Sequence, residues 1–338
     1  MSAALSEAEQ AMLHDAVRAF LVKEGAPRWP DFADRLRIGA ALVDAQQGSI
    51  IAEEIGRARA HLPFAEVATA AWLLDHCGAT ALPADKVATL AWAEPGLRYD
   101  FAGIETRARR DGDGWRLDGT KAVVGWAPKA DIILVAARTG DEGVSLFQVD
   151  SARTEGLRLS PYRTIDGHPA ADLIFENHSL AADALVGPEG AAIDLLEEAR
   201  DRALALLAAE AVGLLDSLLE QTIAYTGQRR QFGQPIAGFQ ALQHRMVDMY
   251  LECELARSSA WLAMEALDKS AAARARAVSS AMVNVARACR FVGQQAIQLH
   301  GGMGMTDELA IGHYVKRAMA IEVLWADADW HLARIVGL

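Results

Sequence analysis

The first apolar positions recur at helical spacing. Met12, Val17, Phe20 and Leu21 share one face of a helix within "LSEAEQAMLHDAVRAFL". Ser6, with Glu9 three residues later, supplies a capping box at its start. This Ala-, Leu- and Glu-rich pattern continues to about residue 88. From about 89 to 186 the period shortens to that of strands. "TRARRDGDGWRLDGTKAVV" predicts two strands around a DGDG turn, and "ADIILVAART", "VSLFQVD" and "LIFENHSLAADALVG" add further short runs. After Gly187 long helical patterns return. Leu242, Met246, Met249 and Cys253 line one face of the second of them, and the C-terminal stretch predicts a fourth helix. The first of these helices is apolar on more than one stripe, which predicts cover on several sides and a subunit contact. Glu210 interrupts that apolar run and is expected to face solvent or a partner.

The predicted fold is therefore a multidomain α+β chain. Residues 1–88 form an N-terminal helical domain, 89–186 a central antiparallel β domain (sandwich or barrel), and 187–338 a C-terminal four-helix bundle. A hydrophobic fraction of 52% over 338 residues supports a buried core rather than a disordered chain. The net charge of −12 argues against a nucleic-acid partner, because a phosphate backbone calls for a basic surface. Cys77, Cys253 and Cys289 are scattered without metal-ligand spacing, so no metal site is expected and a reducing compartment fits. The N-terminus lacks the basic start and apolar core of a signal peptide, and no apolar run is long enough to span a bilayer. A cytoplasmic location with no membrane association is expected.

Two stretches carry chemistry. "GQRRQFGQPIAGFQALQHR" places Arg229 and Arg230 at a helix end, followed by Gln231, Phe232 and a Gly/Pro turn. The arginines can grip a phosphate bidentately or simply complement the helix dipole; the residues alone leave both open. "QLHGGMGMTDE" is a Gly-rich loop after a helix. It has no preceding strand, so it is not a Rossmann fingerprint, and a helix C-cap explains it equally well. His300 within it is expected to pack or cap.

Taken together, in this order and after a helix–β–helix layout, the two stretches resemble the acyl-CoA dehydrogenase family of flavoproteins. "LSEAEQAMLHDAVRAFL" is similar to the family's first helix, "WAEPGLRYD" to its TEPGAGSD-like segment, "RDGDGWRLDGTKAVV" to its β-domain hairpin and "LVGPEG" to the exit from that domain. The resemblance spans nearly the whole chain. It implies FAD, an acyl-CoA substrate and an oxidoreductase reaction in which a carboxylate takes the α proton as the β hydride passes to the flavin. Electrons would leave through an electron-transfer flavoprotein.

The resemblance also implies that FAD lies across a subunit interface, so each half can be scored separately. On the half given to a neighbour, Arg229 matches the pyrophosphate arginine, Gln231 and Phe232 the pair that follow, and Gln298, Gly301 and Gly302 the adenosine end. On the half that holds its own flavin ring, Ala93 replaces a threonine, and Arg98 and Tyr99 replace small residues. Val123 and Gly125 stand where a W-x-T triplet is usual. A family segment before "AEEIGRARA" is missing, which shortens the N-terminal domain. In "EVLWADADWHL", Trp325 falls on the base position and Asp327 on a threonine; Asp327 and Asp329 remain the candidate replacement carboxylates. The alternative base position on the first bundle helix holds Ala203. Asp327 is expected to cap the last helix, with Asp329 in its first turn.

The resemblance thus implies a half-site, non-catalytic subunit of a heterotetrameric acyl-CoA dehydrogenase, completing the FAD site of a longer partner, with lipid or steroid catabolism as its setting. A self-sufficient homo-oligomeric enzyme with a relocated carboxylate, and a non-enzymatic scaffold of the same fold, are the alternatives.

Overall fold

The computed structural model describes residues 5–140 and 143–338. Its helices are α1 (Glu7–Glu24), α2 (Trp29–Leu36), α3 (Ala45–Ala58), α4 (Phe64–His76), α5 (Ala192–Gln228), α6 (Gln240–Glu265), α7 (Ala271–His300), α8 (Ile311–Ile321) and α9 (Ala328–Val336). Its main strands are β1 (Ala88–Ala91), β2 (Arg107–Asp111), β3 (Gly114–Gly125), β4 (Ile132–Thr139), β5 (Gly143–Asp150), β6 (Leu157–Arg163), β7 (Pro169–Leu180) and β8 (Leu185–Val186). These elements form two compact units. One contains residues 5–26, 45–61 and 204–338; the other contains 27–44 and 62–203. The helices of residues 1–88 divide between them: α1 and α3 belong with the C-terminal helices, α2 and α4 with the sheet.

In the sheet unit the strand order is β6-β7-β3-β2-β4-β5-β8, with β1 beside β4. The pairing is mostly antiparallel, as the alternation predicts. Two pairings, β1 with β4 and β2 with β4, are parallel. The DGDG turn closes β2 onto β3 with Asp111 opposite Gly114, and Gly112 takes the positive φ of 59° that such a tight turn needs. Trp29 ties α2 down by donating its indole N–H to the carbonyls of Ala84 and Lys86.

In the helical unit, Ser6 and Glu9 form the expected capping box. Val17 and Leu21 are buried, but Met12 is 71% exposed, so the apolar stripe of α1 starts one turn later than the spacing predicts. The polar side of α1 is anchored at α3. His14 and Arg18 both hydrogen-bond the buried Glu54. Burial alone would raise the Glu54 carboxyl, but the His14 and Arg18 bonds outweigh it and hold it at about 2, below its ordinary 4.5. A lowered folded value means the contribution is complete above pH 4.5 and fades as pH falls through 2. Urea unfolding followed across that window is expected to show stability falling with acid, and Glu54→Gln is expected to flatten this slope; an unchanged slope would contradict the assignment.

α5 is apolar all round, and nearly every residue from Ala203 to Leu219 is buried. The cover comes from this chain's own helices. α3 crosses α5 so closely that a Cβ added at Gly56 would sit 1.9 Å from the Glu210 carbonyl oxygen, and one at Gly213 1.8 Å from that of Glu53. The girth of α5 is thus explained without a subunit contact. Glu210 does not face solvent or a partner. It is buried and forms a two-pronged ion pair with buried Arg317 of α8, at 2.6 and 2.8 Å. A carboxylate inside a packed helix is tolerated because the guanidinium fork matches both of its oxygens.

Among the described residues no helix is long and apolar enough to cross a membrane, and no His/Cys/Asp/Glu group could hold a metal ion. The three cysteines are free thiols.

Candidate functional site

The arginine-bearing stretch ends α5 and folds back on itself. Arg229 N–H bonds the Tyr225 carbonyl at 2.8 Å, and Arg230–Gln231 pairs antiparallel with Gln234–Pro235. Phe232 (φ 51°) and Gly233 (φ 85°) form the two-residue turn, which requires positive φ at both positions. A miniature hairpin therefore stands where the sequence predicts a turn, and it projects Phe232 91% exposed, edge-on to Phe239. Arg230 bonds the Gly233 carbonyl and Gln231 that of Arg230, so both stiffen the turn. Arg229 is exposed, and its guanidinium takes no hydrogen bond or ion pair among the described residues.

The glycine loop follows α7. His300 is buried, with Nδ1 2.8 Å from the Ala296 carbonyl oxygen, and burial lowers its pKa. It packs, as expected. Its ring stacks on Tyr225 with centroids 4.4 Å apart, and the Tyr225 hydroxyl donates to the His300 carbonyl. Tyr225 lies one helical turn before Arg229, and His300 immediately precedes Gly301. This stack brings the two motifs to one end of the bundle. Sequence reasoning overlooked Tyr225; its i, i+4 spacing from Arg229 was the available signal. Gly301 holds φ 58° and ψ −141°, and a Cβ at Gly301 or Gly302 would meet nothing within 4 Å. Both backbones are open to a close approach, and Gln298 beside them is exposed. An unpaired guanidinium, an exposed ring, a primary amide and bare glycine backbone suit a diphosphate joined to a flat heteroaromatic.

The C-terminal stretch forms two helices, the second starting at the cap expected at Asp327. α8 stops at Ile321, Trp325 takes a left-handed φ of 66°, and α9 restarts after Asp327. Such a backbone costs a bulky residue on the order of 1–3 kcal/mol. The break is stabilised by burial of Ala326 and by Asp327, whose carboxylate accepts the Trp330 N–H at 2.9 Å as the N-cap of α9. Asp329 is exposed in the first turn, where the dipole favours it.

In the sheet unit, Glu94 of the "WAEPGLRYD" segment is buried. It accepts N–H bonds from Glu105 and Thr106 and pairs with Lys121 at 2.6 Å. Burial pushes the fully enclosed Lys121 ammonium down to about 8 even with Glu94 beside it. Ala93 is half-buried and Arg98 exposed; the Tyr99 carbonyl accepts from Arg200, which lies 3.9 Å over the Phe101 ring. Val123 sits in a β-bulge with φ 53°, 57% exposed, and donates its N–H to Asp172. A β-branched residue rarely adopts that conformation. Gly125 accepts a bond from Thr89, and Trp126 (φ 60°) keeps a buried indole N–H that has no partner among the described residues. Val123 and Gly125 thus present an aliphatic side chain and bare backbone rather than hydrogen-bonding side chains.

Residues 89–178 match the family model described as acyl-CoA dehydrogenase, middle domain, and residues 193–325 match acyl-CoA dehydrogenase, C-terminal domain. The chain belongs to the acyl-CoA dehydrogenase family. Among its family relatives, short-chain specific acyl-CoA dehydrogenase, mitochondrial, of Homo sapiens is 31% identical over 260 residues, 75% of this chain and 63% of the relative. The protein of the same description from Bos taurus is 31% identical over 246 residues, 71% of this chain. The chain spans only 59% of the length of that bovine relative. A solved variant of the Tcur3481-Tcur3483 steroid ACAD is 26% identical, with a TM-score of 0.84 over 97% of each chain. The ChsE4-ChsE5 complex from Mycobacterium tuberculosis has the same fold, with a TM-score of 0.84 at 22% identity, covering 100% of this chain and 98% of the other.

Proposed function

We propose that this acyl-CoA dehydrogenase-family chain is the half-site subunit of an FAD-dependent acyl-CoA dehydrogenase. It supplies the adenosine and pyrophosphate end of the FAD site of a longer, catalytic subunit that desaturates an acyl-CoA thioester. The observation that carries this reading is the joined hairpin and glycine turn. Arg229 and Phe232 are exposed there, and Tyr225 and His300 hold them at the end that carries Gly301 and Gly302. Arg229 is suited to a diphosphate, Phe232 to an aromatic face, and the Gln298, Gly301 and Gly302 cluster to an adenosine. Bound FAD would supply hydride acceptance at the partner's substrate.

The positions expected to serve a flavin ring of the chain's own support the other half of the reading. Trp325 has no proton-accepting group, and the Asp327 carboxylate is taken up in capping α9. The segment that follows Lys121 offers Val123 and Gly125 in place of bonding side chains. The 26% identical steroid ACAD bears a name that joins two components, which favours a heteromeric assembly and a bulky acyl-CoA as substrate. An electron-transfer flavoprotein would reoxidise the partner's flavin.

The test is flavin content. Purified alone, the chain is expected to hold little FAD. Co-expressed with a longer homologue that carries glutamate at the Trp325 position, it is expected to yield a complex with bound FAD and turnover. Arg229→Ala in that complex should lower FAD affinity at least tenfold while the helical unit keeps its melting temperature. Stoichiometric FAD and full turnover from the lone chain would overturn the proposal in favour of a self-sufficient enzyme. In that case Asp327→Asn and Asp329→Asn would identify the base. If Arg229→Ala changes nothing, a scaffold is left.

A further inference from the structure

The turn that follows α7, Gly301–Met305, reads GGMGM, and so many glycines give it little conformational preference of its own. It is nevertheless held, and the holding point is His300. Tyr225 stacks on the His300 ring with centroids 4.4 Å apart and planes 28° apart. Gly304 is buried and folds back on the same residue: a Cβ there would lie 3.1 Å from the His300 Cβ and 2.9 Å from the Ile297 carbonyl oxygen. His300 Nδ1, 2.8 Å from the Ala296 carbonyl oxygen, fixes the orientation of the ring. The Tyr225 hydroxyl donates to the His300 carbonyl at 3.3 Å. That carbonyl belongs to the peptide through which the chain leaves α7 for Gly301, at φ 58°.

Tyr225 meets the other motif through the backbone. Its carbonyl accepts the Arg229 N–H at 2.8 Å, which keeps Arg229 on the end of α5. A single half-buried side chain therefore links the guanidinium to the glycine turn. A ligand that carries a diphosphate and a heteroaromatic has to meet both motifs at once. Its affinity depends on their spacing being set before it arrives, because ordering a glycine turn on binding subtracts from the gain.

We infer that Tyr225 is a positioning residue: its ring and hydroxyl fix the Gly301–Gly302 backbone relative to Arg229, so that the diphosphate and adenosine ends of one ligand are gripped together. This role rests on the half-site reading for its ligand and adds what sets the distance between the two ends. Tyr225 acts through His300 and makes no contact of its own with the ligand. Arg229 keeps its place whatever side chain stands at 225, because the backbone bond between them remains. Loss of the tyrosine thus weakens a ligand that spans both motifs and spares one that uses Arg229 alone.

Tyr225→Leu removes the ring and the hydroxyl, and Tyr225→Phe the hydroxyl alone. Each is placed in the complex with the longer homologue that carries glutamate at the Trp325 position. FAD affinity is measured there, with ADP and inorganic pyrophosphate as competitors. Tyr225→Leu is expected to weaken FAD and ADP about tenfold, the upper end of what an aromatic pair contributes, and to leave pyrophosphate unchanged. Tyr225→Phe keeps the stack and is expected to restore most of the loss, remaining about threefold weaker for FAD and ADP. That smaller split carries the comparison if the leucine variant does not fold. All three ligands weakened alike, or none weakened, overturns the inference. The lone chain gives a second readout that needs no FAD. Amide exchange of residues 301–305 should speed up about fivefold in Tyr225→Leu while that of α6 is unchanged, and equal protection overturns the tether. A complex that holds no FAD overturns the half-site reading and this ligand role with it. A complex that holds FAD equally well in both variants leaves that reading standing and removes this one.

Discussion

Glu210→Ala is expected to destabilise the helical unit by about 3–5 kcal/mol, because it strands a buried guanidinium. Arg317 is enclosed, and Glu210 meets its fork with both carboxylate oxygens. Removing only the charge, with Glu210→Gln, should cost nearly as much, since shape is kept and compensation is lost. Replacing both residues by methionine and leucine should recover most of the loss, because two charges then no longer need to be taken out of water. Urea unfolding with a probe in the helical unit reads all three. A single-site loss below about 1 kcal/mol would show that water reaches the pair.

The second large effect is steric. Gly213→Ala places a methyl group where the Glu53 carbonyl oxygen stands only 1.8 Å away, with the Arg57 amide nitrogen at 2.8 Å. Neither is the end of a flexible side chain, so α3 and α5 must separate. Overpacking of this kind typically costs 1–3 kcal/mol, and a backbone clash lies at or above the top of that range. The parting helices would also weaken the bond from the Ser217 hydroxyl to the Arg57 carbonyl across the same crossing. Thermal unfolding should show a drop of several degrees or failure to fold. Gly227→Ala on the same helix is the control, because a Cβ there meets nothing. If the two variants melt alike, the close crossing is wrong.

How much of this was legible beforehand differs from element to element. The capping box at Ser6, the β2–β3 turn and the N-cap at Asp327 are local. Each depends on residues two to four apart, and each forms as the sequence predicts. Met12 shows the limit of a periodic pattern: the spacing names a helix face but not how far along it the neighbouring element extends. Glu210 shows a sharper limit. A lone glutamate in an apolar helix reads as solvent-facing because its partner lies 107 residues away on α8. Asp327 marks where the last helix starts, but nothing local marks the left-handed turn before it. Trp325 carries no breaker signal, and its left-handed conformation is held by burial of Ala326 and the cap at Asp327.

The candidate site divides in the same way. The residues of the two C-terminal motifs, Arg229 to Phe232 and Gln298 to Gly302, stand out in the chain by composition and order. That they lie together could not be read from either one. The Tyr225–His300 stack joins them, and it requires α5 and α7 to end on the same side of the bundle.

The sequence by itself determined the α+β class, the family, the chemistry of the motif residues and the lack of a carboxylate at Trp325. These rest on residue identity and on spacing within one element, which the chain carries wherever it goes. Only the tertiary structure decided which apolar faces are consumed. It showed α5 wrapped by its own chain through Gly56 and Gly213, and Tyr250, Leu251 and Trp261 of α6 left exposed. The physical reason is that periodicity reports that a face is apolar, whereas burial depends on which distant segment comes to cover it.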